Sequence, residues 1–413
     1  MLKRISTYLF CCAYLLSGCQ TTGGPGSLNT ESIIGPQLSS IFDPKRAAHI
    51  DPEKPKLDVI VPVFDPGLSK EAKEYKEEGV WPELRRAEAN RFAYKLKQAM
   101  DETGAFGAVR VTPDATATGD LYVIGKIDES NGEDVEFTID VVDISGKHWF
   151  TRSFDHEVDV GFHKSVRNEG KDPYDPVFEK AANRVAIELE DYKEAQLNDI
   201  KRVTDLRFGA HLSEEAFSDY MSIDGGKVHL AAYPSDDDPM LRRTQAIRVR
   251  DQLFVDSLQE QYQGFSEKMD TSYLIWQEQS LLEIEAEREA NQKAAAQAVG
   301  GIALIALGVL AAAAGARSNN YNKGTLGVTA GTVAAVGGGM LIGKSFETSE
   351  ESKVHRDALN ELGESIDVDL GPRVVSFEER TVELTGDAKE QFQQWREFLK
   401  KIYAQERTPE KQL

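Results

Sequence analysis

The sequence predicts an α+β protein, in which a sheet domain of order β-α-β-β-β-β is followed by a long helical stalk and a membrane-type helical hairpin. Three patterns predict this architecture. Apolar and polar residues alternate in short runs between 57 and 160, as they do in half-buried strands. From Pro239 onward, apolar residues recur at helical spacing. Finally, the stretches 294–316 and 324–343 contain no charged residue.

Composition restricts the class of protein. The chain has 413 residues and a formal net charge of −21, from 48 Lys and Arg against 69 Asp and Glu. This acidity argues against a nucleic-acid partner, because phosphate binding requires clustered Lys and Arg. The only cysteines are Cys11, Cys12 and Cys19, which excludes a disulfide scaffold or a cysteine-based metal site in the body of the chain. We expect no metal and no cofactor.

The N-terminal residues 1–18 predict a signal peptide. Two basic residues precede an apolar stretch at 5–16, which is too short to span a bilayer. The stretch runs into Leu16, Ser17, Gly18 and Cys19. This segment resembles the lipobox of bacterial lipoproteins, which implies cleavage before Cys19 and acylation of Cys19, with palmitate among its acyl chains. The alternative is a secreted protein that ordinary signal peptidase cuts.

The residue after Cys19 indicates the destination. Residue 20 is Gln rather than Asp, and the sorting rule of that family then implies the outer membrane. Residues 19–56 contain a Gly-Gly-Pro-Gly run and several further prolines without sustained periodicity. The sequence therefore predicts a lipidated cysteine followed by a disordered tether.

Residues 57–160 predict a compact α+β periplasmic domain. A helix is expected from Trp81 to Met100, with Pro82 suited to its first turn and Gly104 to its end. Strands are predicted at 57–64, 108–111, 120–127, 135–144 and 148–158. We expect the strands to form a sheet packed on one main helix.

Two motifs in this domain carry a family resemblance. Residues 119–123 read Gly-Asp-Leu-Tyr-Val, and residues 143–149 read Asp-Ile-Ser-Gly-Lys-His-Trp. They are similar to motifs of the periplasmic domain shared by the curli-secretion lipoprotein CsgG, the peptidoglycan-synthase activator LpoB and the N-terminal domain of TolB. The resemblance covers about a quarter of the chain. It implies a protein-binding or assembly domain, and it does not imply an enzyme.

No constellation of residues predicts catalysis. His148, His156 and His163 are spaced by eight and seven residues, which does not match a helical metal pair, and they are interpreted as surface or strand-edge histidines. The sequence has neither a phosphate-binding glycine loop nor a nucleophile elbow. The acidic run at 235–239 could bind a hard cation, but it is better interpreted as a turn leading into a helix.

Residues 161–293 predict a helical region. One helix is expected over 174–208, and a short hairpin around Gly225 and Gly226. From Pro239 a helix of about fifty residues carries a single apolar stripe. Two arrangements of this stalk are equally compatible with the stripe, namely a self-associating coiled coil and packing onto the chain's own domain.

Residues 294–343 predict a Gly/Ala-rich transmembrane hairpin, since each uncharged arm is long enough to cross a bilayer as a helix. The glycines expected to pack the helices are Gly308, Gly315, Gly327, Gly331, Gly339 and Gly343. The segment resembles the glycine-zipper two-helix segment of lipoproteins such as SlyB. The alternatives are a hairpin buried in a soluble oligomer and a flexible Ala/Gly segment.

Residues 344–413 predict a soluble C-terminal α/β tail. A helix is expected at 357–362, two short strands within 373–384, and an amphipathic helix at 388–403. If the hairpin crosses the membrane twice, both of its ends face one compartment. The tail is therefore expected to join the α+β domain in the periplasm.

These patterns together predict a non-catalytic lipoprotein of the cell envelope that acts as an oligomeric scaffold or assembly factor at the outer membrane. It is expected to be lipid-anchored, with its soluble domains facing the periplasm. Its expected partners are membrane lipid, through Cys19 and the hairpin, further copies of itself and other envelope proteins. The alternatives are a subunit of an outer-membrane export channel and a periplasmic activator of a cell-wall enzyme.

Overall fold

The fold was analysed in a computed structural model, which describes residues 48–68, 75, 80–315, 350–368, 370–377 and 380–405. The described residues form a mixed α+β structure around a five-stranded sheet. Its strands are β1 (Val59–Pro62), β2 (Val109–Thr112), β3 (Leu121–Ser130), β4 (Asp134–Asp143) and β5 (His148–Glu157). With the helix that lies between β1 and β2, they confirm the predicted β-α-β-β-β-β order.

The strand order in the sheet is β2-β1-β3-β4-β5. Strand β1 pairs in parallel with both neighbours, with Val59 opposite Val109 on one side and Leu121 on the other. Strands β3, β4 and β5 form an antiparallel meander. All four residues of β1 are buried, as is usual for a central parallel strand, whereas burial alternates along β4. One face of the meander therefore packs on the core and the other remains more open.

Two helices cover the packed face of the sheet. Helix α1 (Pro82–Thr103) has a proline in its first turn and ends at Gly104, whose φ of 67° is the left-handed conformation that glycine adopts readily. Helix α2 (Asp175–Glu188) packs beside it. The core between helices and sheet is aromatic, and Phe92 of α1 lies edge-on to Phe178 with the ring centroids 5.1 Å apart.

The single helix predicted over 174–208 is wrong. The chain forms α2, then a 3-10 turn at Leu189–Asp191, then α3 (Glu194–Leu212) and the short α4 (Glu214–Phe217). The break occurs at Tyr192, which is extended and stacks on Trp149 with ring centroids 4.4 Å apart. Helix α3 then starts anew, because the Lys193 backbone N–H donates to the Gln196 side chain at 2.9 Å.

The predicted hairpin around Gly225 and Gly226 is confirmed. Strands β6 (Met221–Asp224) and β7 (Lys227–Leu230) pair antiparallel, and both turn glycines have positive φ, 55° and 79°. The hairpin joins the sheet domain through a backbone hydrogen bond of 2.8 Å, from Val228 N to Ser145 O.

The long helix α5 (Pro239–Gly315) has 77 residues, more than the predicted fifty. It is capped by Asp238, whose Oδ1 accepts the Met240 N–H at 2.8 Å. The acidic run at 235–239 is thus a turn leading into a helix. Buried residues recur along α5 from Leu241 to Leu281, where the helix packs on α1 and β2. Of the two predicted arrangements, this part packs onto its own domain rather than standing free as a stalk.

The tail forms the predicted helix, strand pair and helix. These are α6 (Glu350–Leu362), β8 (Arg373–Phe377), β9 (Arg380–Leu384) and α7 (Ala388–Gln405). The tail joins the α+β core as expected. The Trp81 indole N–H donates to Asn360 Oδ1 at 2.8 Å, and the ring of Trp395 stacks on Phe254 of α5 at 5.3 Å.

None of the helices in the described part of the chain combines the length and the apolarity that a membrane crossing needs. The first predicted hairpin arm is helical in its backbone up to Gly315, and the second arm, 324–343, lies outside the described residues. The membrane hairpin is therefore not supported by the described residues.

Candidate functional site: a buried polar seam and an open cleft

A row of charged side chains follows one face of α1. Arg85, Glu88, Arg91 and Lys95 are spaced by three or four residues, so they lie on neighbouring turns. The first three are buried instead of facing water. They meet the loop before α2 and one face of α5. We define the polar seam as Arg85, Glu88, Arg91, Lys95, Ser130, Asp172, Tyr174, Ser266, Asp270, Tyr273 and Gln277.

Arg91 connects three segments of the chain within the seam. Its Nη2 donates to Asp172 Oδ2 at 2.8 Å, in the loop before α2. Its Nη1 donates to the Ser266 carbonyl of α5 at 3.2 Å and forms an ion pair with Asp270. The guanidinium carbon also lies 4.8 Å from the centre of the Tyr273 ring. A single side chain of α1 thus binds both the loop and the long helix.

Asp172 is the main counter-ion of Arg91. Burial acts to raise the pKa of Asp172, but Arg91, Lys95 and the Tyr174 backbone N–H outweigh burial and hold the pKa below its ordinary value. Lys95 Nζ lies 3.5 Å from Asp172 Oδ2, and Gln277 donates to Oδ1 at 3.2 Å. The carboxylate is therefore ionised and fully surrounded by donors.

Glu88 has the opposite electrostatic environment. Its side chain is completely buried, and burial raises its pKa more than Arg85 and the hydrogen bonds lower it. Its Oε1 accepts hydrogen bonds from Ser130 Oγ at 2.5 Å and Tyr273 OH at 2.7 Å. Its Oε2 accepts none from the described residues and lies 3.7 Å from Arg85 Nε. Burial thus dominates the environment of this carboxyl.

Aromatic rings surround the seam. Tyr174 lies edge-on to Phe92 and to Tyr273, with ring centroids 6.3 Å apart in both pairs. Its hydroxyl accepts the Gly132 N–H at 2.8 Å, and burial raises its pKa. The charged groups of the seam thus bond mainly to one another and to the backbone. This arrangement is suited to holding α5 on the sheet domain.

An open cleft of about 390 Å³ lies on the sheet face turned away from α1. Tyr122, Ile124 and Val142 of the sheet form its floor, and Arg207 of α3 and Arg396 of α7 form its walls. Ile124 is 40% exposed on an otherwise polar face of β3. The cleft thus combines an apolar floor with two arginines in its walls.

The two arginines of the cleft differ in their partners. Arg396 is bound firmly, since it donates to Thr118 Oγ1 at 2.6 Å and to Asp251 Oδ2 at 3.0 Å. Arg207 donates through Nη1 to the Ile144 carbonyl. Among the described residues, no carboxylate lies within ion-pair distance of Arg207.

A histidine borders the same cleft. Partial burial, reinforced by Arg396 and Lys400, lowers the pKa of His211, so this imidazole is neutral at pH 7. Only one acidic residue lines the cleft within the described part of the chain, namely Asp143. Its carboxylate accepts hydrogen bonds from the Ser145 N–H at 2.9 Å and from the Trp149 indole N–H at 3.0 Å. The charged residues that line the cleft are thus two arginines and one carboxylate, and one of the arginines is paired with Asp251.

The site residues predicted from the sequence are mostly not described. The lipobox residues, Cys19 and the four glycines of the second arm lie outside the described residues, namely Leu16, Ser17, Gly18, Cys19, Gly327, Gly331, Gly339 and Gly343. Gly308 and Gly315 lie in the last turns of α5. The lipidation and helix-packing assignments thus stay predictions.

Within the described ranges, no group of three or more His, Cys, Asp or Glu side chains is arranged to hold a metal ion. His148 is an exposed strand residue, as interpreted from the sequence. Its Nε2 lies 2.9 Å from Asp140 Oδ1 of the neighbouring strand and 2.9 Å from Thr151 Oγ1.

No family model, no curated protein and no solved structure gives a significant match to this chain. The family resemblances therefore rest on the sequence motifs alone.

The sequence singled out neither the seam nor the cleft. The signal for the seam was the spacing of Arg85, Glu88 and Arg91, which on an isolated helix is that of a solvated face. Arg207 and Arg396 of the cleft are far apart in the sequence and meet only in the folded chain. Neither feature could be found without the fold.

Proposed function

We propose that the protein is a non-catalytic, lipid-anchored scaffold or assembly factor of the outer membrane. One observation carries the proposal. Helix α5 is held on the α+β core by the polar seam, and it continues without a break to Gly315, inside the uncharged stretch. A movement or an association of the uncharged segment would thus be transmitted directly to the folded core.

The base of the segment supports a closed hairpin. Ser272 Oγ of α5 lies 3.1 Å from His355 Nδ1 of α6, so the chain leaves and returns at the same place. The two ends of the segment are therefore close enough to continue into antiparallel arms.

The composition of 294–343 supports association of such hairpins. The two uncharged arms, 294–316 and 324–343, each reach the roughly twenty residues that a helix needs to cross a bilayer. The pairs Gly327/Gly331 and Gly339/Gly343 have the spacing that lets helix backbones approach closely in lipid. We propose that these glycines pack the two arms of a hairpin and the hairpins of neighbouring copies.

The experiment is a mass measurement by light scattering on the lipidated protein extracted in mild detergent. It compares the intact chain with a variant in which a flexible linker of about ten residues replaces 294–343. The proposal expects a large assembly that becomes a monomer on replacement. An intact chain that is itself a monomer would refute the oligomeric scaffold.

A matched pair of variants tests the glycines. Replacing Gly327 and Gly331 together by leucine is expected to lower the assembly mass, because larger side chains separate the helix backbones. Replacing Val328 and Thr332 by leucine in the same arm keeps the glycine spacing and should leave the mass unchanged. Equal effects of the two double variants would contradict glycine-mediated packing.

The two alternative functions have their own readouts. A subunit of an export channel would form a ring that conducts ions in a planar bilayer. A periplasmic activator of a cell-wall enzyme would be a monomer that raises that enzyme's rate.

A further inference from the structure

We propose that the cleft between β3, α3 and α7 binds the free C-terminal carboxylate of a peptide whose last side chain is apolar. The inference is independent of the scaffold function, because the cleft lies on the sheet face turned away from the polar seam. It rests on the charge, the floor and the size of the cleft.

The Arg207 guanidinium favours binding of an anion in the cleft. Arg207 is an exposed arginine whose Nη1 donates to the Ile144 carbonyl, with no carboxylate at ion-pair distance among the described residues. Arginine binds carboxylates through two parallel N–H groups, which is the strongest hydrogen-bonded geometry available to it.

The other charged side chains of the cleft already have partners. Arg396 pairs with Asp251 and bonds to Thr118, so its charge is compensated and it contributes mainly to the wall. The Asp143 carboxylate accepts hydrogen bonds from the Ser145 and Trp149 N–H groups, which hold it in place. Arg207 is thus the arginine of the cleft that has no carboxylate partner among the described residues.

The apolar floor of the cleft favours binding of an apolar group next to that anion. Ile124 is 40% exposed, and Val142 and the Tyr122 ring lie beside it. The Tyr122 hydroxyl is fixed, since it donates to the Ala117 carbonyl at 2.9 Å and accepts the Gly119 N–H at 3.2 Å. The apolar floor is therefore rigid, and covering Ile124 would remove apolar surface from water.

The size of the cleft selects the terminal part of a peptide. A volume of about 390 Å³ is at the lower end of the range for small-ligand sites, so it accommodates one or two residues and not a folded domain. A chain end supplies both groups at once, a carboxylate and the side chain of the same residue. Capture of a terminal carboxylate is also an established mode of peptide recognition.

The test is titration calorimetry with the full-length protein in mild detergent. Three probes distinguish the sources of the carboxylate: acetyl-Ala-Leu-Leu with a free C-terminus, the same peptide as its C-terminal amide, and N-acetyl-leucine. The proposal expects the peptide acid to bind and the amide to bind at least about tenfold more weakly, because the charged hydrogen bond is lost. N-acetyl-leucine should bind more weakly than the peptide acid.

Variants assign the binding to the cleft. Arg207→Gln is expected to weaken the peptide acid at least about tenfold, and Arg207→Lys should retain part of the affinity. The matched control is Arg202→Gln on the same helix, an exposed arginine beside Asp199, which should leave the affinity unchanged. Ile124→Ala should weaken the acid and the amide equally.

The proposal would be overturned by equal binding of acid and amide, by an affinity unchanged by Arg207→Gln, or by no heat with any probe at millimolar concentration. A lower melting temperature of Arg207→Gln would mean that this variant is destabilised. The test then uses Arg207→Lys, which keeps a cation beside the Ile144 carbonyl, and a preference of this variant for the acid over the amide supports the proposal. Tighter binding of N-acetyl-leucine than of the peptide acid would show that the ligand is a small free acid and not a peptide.

Discussion

Arg91 and Asp172 form an ion pair of 2.8 Å in which the two side chains are 1% and 3% exposed. The pair joins helix α1 to the loop before α2, and Arg91 extends the connection to α5. Burying two charges is unfavourable unless further hydrogen bonds satisfy their remaining atoms. Here the Tyr174 N–H and Gln277 complete the coordination of Asp172. The pair therefore helps to specify where the long helix sits.

Removing one member of this pair should destabilise the protein strongly. Arg91→Met is expected to lower the free energy of unfolding by about 3–5 kcal/mol, because Asp172 would be left as a buried charge with only Lys95 nearby. Urea unfolding followed by far-UV circular dichroism measures the loss. The matched control is Arg202→Met, which removes an exposed pair with Asp199 and should cost less than about 1 kcal/mol.

The double variant Arg91→Met with Asp172→Leu separates the charge from the packing. It should recover most of the stability lost in Arg91→Met, since an apolar replacement leaves no uncompensated buried charge. A double variant as unstable as Arg91→Met alone would mean that the destabilisation comes from lost packing.

The acid side of the stability profile should depend on Asp172. Its pKa is lowered in the folded state, so the folded chain binds fewer protons there than the unfolded chain. The stabilisation by this carboxylate is thus present above the ordinary value of 3.8 and is lost as the pH falls through the folded pKa. Asp172→Asn should flatten this loss when urea unfolding is repeated at several acidic pH values.

Glu88 should give the free energy of unfolding the opposite dependence on pH. Its folded pKa is raised, so its contribution is greatest below the ordinary value of 4.5 and declines as the pH rises through the folded pKa. Glu88→Gln keeps an acceptor for Ser130 and Tyr273 without the buried charge. The variant should gain stability relative to the wild type as the pH rises above 4.5. A gain that does not change with pH would show that Glu88 stays in one protonation state.

The contact between the tail and α1 should tolerate no side chain at Gly363. A methyl group there would overlap the Glu83 carbonyl oxygen of α1, and Arg86 Nε donates to the Gly363 carbonyl at 2.6 Å. Gly363→Ala is expected to cost about 1–3 kcal/mol in urea unfolding. The control is Gly264→Ala within α5, where a methyl group meets nothing and should stabilise the helix by up to about 1 kcal/mol.

Acylation should require Cys19 alone among the three cysteines. Cys19→Ser is expected to abolish incorporation of radiolabelled palmitate and to leave the signal peptide uncut. The matched control, Cys12→Ser, changes a cysteine of the apolar stretch and should retain both labelling and cleavage. Labelling that persists in Cys19→Ser would remove the lipid anchor from the proposed function.

The strands could be predicted because their signal is local. Val135, Phe137 and Ile139 alternate with polar residues, and the same alternation separates the core face of β4 from its open face. The break before α3 could not be predicted, because Tyr192 leaves the helix to stack on Trp149, which is distant in the sequence.

The seam and the cleft depend on contacts that no local pattern encodes. Arg91 and Glu88 carry the spacing of an exposed helix face, yet residues more than eighty positions away bury them. Likewise the apolar stripe of α5 was recognised, but a stripe does not specify its partner. Only the assembled core distinguishes a packed helix from a coiled coil.

The Trp395–Phe254 stack sets an order of events in time. Phe254 precedes the uncharged segment and Trp395 follows it, close to the end of the sequence. The stack joins segments from both sides of the uncharged stretch, so this part of the core can close only when helix α7 is available. The position of one tryptophan thereby makes the completion of the packing around Phe254 depend on the tail.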